Sequence, residues 1–163
     1  MQDQPPDPSR EPYEMGDEVA LGSMRSTPLE MTDDVFRTRV KAGPTAGGGP
    51  LHRHMHQTER LMVEQGTLRV RTGLRGSRLI GPGEDVVIPP GKPHTFTVES
   101  SSACYIDEFT PRLKLPEYFE ELFALDNPSL GDMARLAQKY PKEHFYLPMV
   151  PPVIQRAVLR PFA

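Results

Sequence analysis

Apolar and polar residues alternate over short runs between residues 18 and 112, and glycine and proline separate the runs. In residues 34–40, Phe36, Thr38 and Val40 fall on one side of an extended chain, and two arginines fall on the other. The side without arginine is the predicted inner face. Runs of the same kind occupy residues 51–56, 60–64, 67–72, 78–80, 85–88, 94–99 and 103–109. This pattern predicts a mainly β domain, either a sandwich or a barrel.

The periodicity of the apolar residues becomes helical after residue 112. Helices are predicted at residues 115–123, 129–140 and 152–159. Ser129 is the expected N-cap of the second helix, with Asp132 at the capping-box position. We expect the apolar stripes to be packing surface, so that the helical extension 113–163 covers the barrel (18–112) or a dimer partner. Residues 1–17 are polar and proline-rich, which predicts a disordered or loose arm.

Composition and charge narrow the class of protein. The formal net charge of −3 argues against a nucleic-acid partner. No apolar run approaches the ~20 residues that span a bilayer, and the first residues lack the basic start and apolar block of a signal peptide. Cys104 is the single cysteine, so no internal disulfide forms, and we expect it to be a small core residue. We therefore expect a soluble, cytoplasmic protein with no membrane partner.

Four residues of metal-ligand type occur at a distinctive spacing. His52 and His54 alternate and therefore point the same way in an extended chain. Glu59 follows after a turn and opens a strand, and His94 begins another strand after a stiff proline-rich turn. Their donor atoms suit one divalent metal ion, namely Fe, Mn, Ni, Co, Cu or Zn. Four ligands leave open coordination positions, and Glu59 is also the candidate catalytic residue, able to leave the ion and take a proton.

These residues resemble the two motifs of the cupin superfamily. The first motif, two alternating histidines, a glutamate and a glycine, matches His52, His54, Glu59 and Gly66. The second motif matches Gly83, Pro89, Gly91 and His94, although Val98 stands where the pattern has asparagine. The resemblance covers about residues 34–111 and implies an antiparallel jelly-roll β-barrel with a metal ion in its mouth. Together with its C-terminal α-helices, the chain is similar to small bacterial single-domain cupins.

Alternation within the strands also predicts a pocket for a small molecule. The predicted substrate-binding residues are Phe36, Thr38, Val40, Leu61, Val63, Phe96 and Val98. An interior of this kind is mostly apolar with one polar, metal-binding end, so it suits a small and partly apolar organic ligand.

Two assignments stay open at this point. His56 is a fifth ligand, a proton shuttle or a solvated residue at a strand end. Either Asp107 or Glu108 faces the interior on the last strand, and the inward carboxyl group is a candidate general base.

Two functions are compatible with these features. The first is a metal-dependent enzyme, for which the cupin resemblance implies oxygenase, isomerase, cyclase or decarboxylase chemistry. The alternative is a non-catalytic module that binds a small molecule through the metal. We expect a homodimer in either case. A role in assembly alone would leave four convergent ligands without a purpose.

Overall fold

Antiparallel strands dominate the computed structural model, which describes residues 15–21, 23–125, 128–148 and 153–155. One sheet has the strand order β1-β2-β3-β9-β4-β7 and the second has the order β6-β5-β8. The strands are β1 (Val19–Leu21), β2 (Met24–Met31), β3 (Phe36–Ala42), β4 (Thr58–Gln65), β5 (Leu68–Thr72), β6 (Arg78–Ile80), β7 (Asp85–Ile88), β8 (His94–Val98) and β9 (Ala103–Thr110). The prediction of a mainly β, antiparallel fold is confirmed.

The alternation in β3 gives the predicted faces. Phe36, Thr38 and Val40 are buried, whereas Arg37 and Arg39 lie on the other face and pair with acidic side chains. The main hydrophobic cluster lies between the two sheets, where apolar side chains leave water. Its members include Leu61, Val63, Leu68, Val70, Phe96, Val98 and Tyr105.

The strand expected at residues 51–56 is not a strand. His52 and Arg53 form isolated bridges, the first to His94 and the second to Tyr146. His52 and Arg53 each pair with a single residue of a different segment, and two such single pairs do not make a continuous β-ladder. Conversely, β2 was missed by the sequence pattern, because its alternation is interrupted by Pro28 and a register shift between Pro28 and Glu30.

The register of β9 decides which acidic residue faces inward. Asp107 lines the interior, whereas Glu108 accepts a hydrogen bond from Arg37 on the other face, 2.7 Å away. Cys104 shares the outward side and donates its thiol to the Glu64 carboxylate. The expectation that Cys104 is a core residue is therefore wrong.

The chain after the barrel contains the predicted first two helices, α1 (Leu115–Phe123) and α2 (Leu130–Lys139). The capping box is present, since Ser129 Oγ accepts from the Asp132 N–H and the Asp132 carboxylate accepts from the Ser129 N–H. Both helices pack on the barrel through a second cluster that includes Phe36, Phe109, Leu115, Tyr118, Leu136 and Tyr140.

Some sequence-based expectations fall partly or wholly on residues that are not described. Of the third predicted helix, residues 153–155 are helical and the rest lies outside the described residues. Most of the N-terminal arm, residues 1–14, also lies outside them. None of the helices among the described residues is long and apolar enough to cross a membrane.

Candidate metal centre

The four predicted ligands meet in space. One ligand atom from each of His52, His54, Glu59 and His94 lies within 4.8 Å of the others, and all four residues are buried. Two backbone hydrogen bonds hold the first and last together, with the His52 N–H donating to the His94 carbonyl at 3.0 Å and the reverse bond at 2.8 Å. The isolated bridge thus fixes the spacing of histidines that are 42 positions apart in the sequence.

Backbone carbonyls orient two of the imidazole rings. His52 Nδ1 lies 2.8 Å from the Pro50 carbonyl oxygen, and His94 Nδ1 lies 2.9 Å from the Lys92 carbonyl oxygen. Because a carbonyl can only accept, each Nδ1 carries a proton, so in the neutral ring the lone pair is on Nε2. Such contacts to the remote nitrogen are typical of histidines that bind metals through Nε2.

Glu59 brings a negative charge to the centre of the cluster. Its Oε2 atom lies 3.1 Å from His54 Nε2 and 2.7 Å from His94 Nε2. Neither Glu59 Oε2 nor His94 Nε2 has a partner in hydrogen-bond geometry among the described residues, although both atoms are buried. Buried polar atoms without partners are rare, and here they converge on one point.

The charges in the cluster act on one another. Burial opposes the charged form of Glu59, but His94 and His54 outweigh it and lower the pKa of the carboxyl group. Burial likewise opposes the charge on His94, yet Glu59 raises its pKa overall. Burial, with the nearby His94 and His54, lowers the pKa of His52 to about 4. His52 is therefore neutral near pH 7, as a metal ligand must be.

The donor set fits a divalent metal ion. Three imidazoles and one carboxylate offer borderline nitrogen and hard oxygen donors, which suit the first-row transition metals. A bound divalent ion would neutralise the buried Glu59 charge and give the converging atoms a common partner. His56 is exposed and lies outside the cluster, which supports its assignment as a solvated residue rather than a ligand.

A cavity of about 830 Å³ is lined by three of the four ligands, His52, His54 and Glu59. The barrel contributes Met24, Ser26, Thr38, Val40, Phe96 and Tyr105 to its wall, among others. Of the predicted substrate-binding residues, Thr38, Val40 and Phe96 line this cavity. The other four do not line it and pack in the hydrophobic clusters instead: Phe36, Leu61, Val63 and Val98. Ligand binding by the three lining residues stays a prediction.

The helical extension builds much of the remaining wall. It contributes Tyr118, Phe119, Leu122, Phe123, His144 and Phe145, among others. The sequence pattern identified the stripe on α1 as packing surface, and gave no signal for the loop residues His144 and Phe145. The same α1 residues both pack on the barrel and face the cavity, so the periodicity of the helix alone could not reveal this second role.

Asp107 is the inward carboxyl group that the sequence left open. Its Oδ1 atom is buried without a hydrogen-bond partner among the described residues, and its side chain lines the cavity. Burial, and then the negative charge of Glu59, raise the pKa of Asp107 well above its usual range. The cavity thus holds a carboxyl group with unused hydrogen-bonding capacity together with His52, His54 and Glu59.

Gln57 is buried but does not line the cavity. Its amide nitrogen donates to the carbonyl oxygens of Pro111 and Arg112, at 2.9 and 3.1 Å. Gln57 therefore ties the start of β4, and with it Glu59, to the chain that leads into the extension.

Known structures share the barrel. KdgF from Halomonas sp. is 25% identical with a TM-score of 0.55, and the match covers 59% of this chain and 88% of that one. An RmlC-like cupin from Shewanella frigidimarina is 18% identical with a TM-score of 0.54, covering 59% and 84%. A sugar phosphate isomerase of the cupin superfamily from Silicibacter pomeroyi is 23% identical with a TM-score of 0.51, covering 57% and 62%. Comparison with curated proteins finds no match.

The family assignment rests on sequence as well as on fold. The model of the cupin domain matches residues 38–107, a range that contains all four converging ligands and ends before α1. Since the sequence match and the barrel neighbours agree, this chain contains a cupin domain.

Proposed function

We propose that the chain is a metal-dependent enzyme that acts on a small, largely apolar organic molecule held in the cavity. The observation that carries the proposal is the position of the metal-type ligands. Four buried donors converge, and three of them, on His52, His54 and Glu59, line the wall of a cavity large enough for a drug-sized molecule. A purely structural metal site would be closed on all sides by protein.

The reaction follows from the groups around the cavity. A divalent ion held by His52, His54, Glu59 and His94 would supply Lewis-acid polarisation of a substrate oxygen. The lowered pKa of Glu59 favours the carboxylate form, which suits a metal ligand. Proton transfer by Glu59 stays a prediction. Asp107 is placed to hold or move a proton at its unpartnered Oδ1 atom, and the apolar wall excludes water. Isomerase-type and cyclase-type chemistry need a Lewis acid and a group that transfers protons. Oxygenase-type chemistry also needs a redox-active metal.

Metal analysis of matched histidine variants tests the ligand assignment. The wild type and His56→Ala should each bind about one equivalent of divalent metal, because His56 is exposed and outside the cluster. His52→Ala and His94→Ala should lose most of it while the barrel stays folded. Elemental analysis gives the content, and circular dichroism checks the fold. Wild-type occupancy in both cluster variants would refute the assignment.

The second candidate is a module that binds its ligand without transforming it. The scarcity of carboxyl groups in the wall supports it, since Asp107 is the one cavity-lining carboxyl group apart from Glu59 among the described residues. Mass spectrometry of a candidate ligand after incubation with metal-loaded protein separates the two. Recovery of unchanged ligand, with metal-dependent affinity, would favour the module.

We also infer a homodimer that works in the cytoplasm. Leu79 and Val87 are both more than half exposed on the strands, so they are candidates for a contact with a second copy. Light scattering after size-exclusion chromatography measures the oligomeric state, and a monomer at micromolar concentration would contradict the inference.

A further inference from the structure

The wall that the extension builds is almost entirely apolar and aromatic, with one buried polar pair in its surface. Tyr118 on α1 is fully buried, and His144 is 4% exposed; both line the cavity. Their neighbours in this wall include Phe119 and Phe145, which carry no polar atoms on their side chains. A buried hydroxyl group and a buried imidazole both need hydrogen-bond partners, a requirement that apolar residues filling the same wall would not have.

The geometry of the pair leaves hydrogen-bonding capacity at Tyr118. The Tyr118 hydroxyl lies 3.4 Å from His144 Nδ1, at the long limit of a hydrogen bond. The backbone N–H of Phe145 also donates to the Tyr118 oxygen. A phenolic hydroxyl offers one donor and two acceptor positions, so a third partner can still be accommodated. Burial raises the pKa of Tyr118, so the group remains a neutral hydroxyl over the working pH range.

Phe145 separates this pair from the metal centre. Its ring contacts His52 at a centroid distance of 4.7 Å on one side and Tyr118 at 5.4 Å on the other. The cavity therefore has one polar end, at His52, His54 and Glu59, and a second polar position across an aromatic surface. A flat ring lying along that surface would be stacked or edge-packed by Phe145 and its aromatic neighbours.

We propose that Tyr118 and His144 form a hydrogen-bonding subsite for a hydroxyl group of an aromatic ligand. The proposal rests on the proposed function in one respect, namely that this cavity is the ligand site. It narrows the substrate class to phenolic or otherwise hydroxylated aromatic molecules. The metal end would bind an oxygen at the opposite edge of the same molecule.

A pair of probes that differ in one hydroxyl group tests the subsite. The chain contains no tryptophan, so the emission of bound 2-naphthol and naphthalene can be followed without interference from indole. The wild type should bind 2-naphthol about five- to tenfold more tightly than naphthalene, the effect of about one hydrogen bond. Tyr118→Phe and His144→Leu should abolish this preference while the affinity for naphthalene stays the same.

Tyr140→Phe is the matched control. Tyr140 packs against Tyr118 at a ring distance of 5.8 Å, but its hydroxyl donates to Glu121 and it does not line the cavity. This variant should keep the preference of the wild type. If His144→Leu does not fold, as judged by circular dichroism, Tyr118→Phe decides alone.

The same preparations distinguish failure of this subsite from failure of the metal proposal. Metal content is measured on each sample by elemental analysis. A preference that survives in Tyr118→Phe, or a wild type that binds 2-naphthol no better than naphthalene, would overturn the subsite whatever the metal content. Loss of the preference in Tyr118→Phe, in protein that binds no metal, would support the subsite and contradict the metal-dependent function.

Discussion

The Phe145 ring lies stacked on the His52 ring, with their centroids 4.7 Å apart and their planes inclined by 20°. Phe145 also meets the edge of the His54 ring at 4.6 Å, so one side chain from the extension contacts two of the four metal-type ligands. Next to it, Arg53 and Tyr146 exchange two backbone hydrogen bonds of 2.9 and 3.1 Å. The extension is therefore joined directly to the segment that carries the first two ligands, and it contributes to their orientation.

Replacing Phe145 with alanine should weaken metal binding. The variant keeps all four ligands but removes the ring that restrains His52 and His54, and residues that orient ligands typically contribute 10- to 100-fold in affinity. We expect the dissociation constant of the metal to rise about tenfold. Competition with a chromophoric chelator measures it.

Phe123→Ala is the control for that measurement. Phe123 also belongs to the extension and lines the cavity, but it is 37% exposed and its ring packs against Phe119. Its removal enlarges the cavity without touching a ligand, so metal affinity should not change. Equal affinity in the wild type and Phe145→Ala would show that the stacked ring has no part in holding the centre.

Gly66 of the first cupin motif should be intolerant of any side chain. Its φ of +77° is in the left-handed region, and an added Cβ would lie 2.2 Å from the Ser102 carbonyl oxygen. Strain and overpacking together should lower the free energy of unfolding by about 3 kcal/mol in Gly66→Ala. Urea denaturation measures the loss.

Gly76 separates the two causes of that loss. Its φ of +78° is nearly the same, but nothing lies within 4 Å of an added Cβ. Gly76→Ala should therefore cost about 1 kcal/mol, the conformational part alone. Equal losses at the two glycines would mean that the contact with Ser102 relaxes without cost.

Gln57 should be important for stability, although it binds no ligand in our proposal. Gln57→Leu leaves the Pro111 and Arg112 carbonyls without their donor, but it also removes the buried, unpartnered Oε1 atom of Gln57. We expect a net loss of about 2 kcal/mol in the free energy of unfolding. Gln65→Leu, at the exposed end of the same strand, should change it by less than about 0.5 kcal/mol. If Gln57→Leu also lowers the free energy of unfolding by less than about 0.5 kcal/mol, the Gln57 amide does not join β4 to the extension.

The four ligands could be predicted because local rules and motif spacing identify them. Alternation put His52 and His54 on one face, and the motif placed Glu59 and His94 around the same point. The capping box of α2 was predictable for the same reason, since Ser129 and Asp132 interact within one turn. The ligand set and the capping box can each be recognised from a short stretch of sequence or a fixed motif spacing, without knowledge of how distant segments pack.

The features that the sequence left undetermined depend on packing between distant segments. On β9, the alternate sets Cys104, Ile106, Glu108 and Tyr105, Asp107, Phe109 both mix apolar and polar residues, so the pattern could not choose the inner face. Pairing with β3 places Glu108 opposite Arg37 and thereby turns Asp107 inward. The roles of His144 and Phe145 depend on where the extension returns to the barrel, which no local pattern encodes.

Metal addition should stabilise the folded chain through the same four residues. A ligand that binds the folded state alone contributes RT ln(1 + [L]/Kd), about 2.7 kcal/mol at a hundredfold excess over Kd. For a chain of 163 residues this corresponds to a rise in Tm of about 5–10 °C. Differential scanning calorimetry with and without zinc should show that rise in the wild type and in His56→Ala, and should show little of it in His94→Ala. A rise of equal size in His94→Ala would place the stabilising metal elsewhere on the chain, because His94 lies at the centre of the proposed cluster, 2.7 Å from the Glu59 carboxylate.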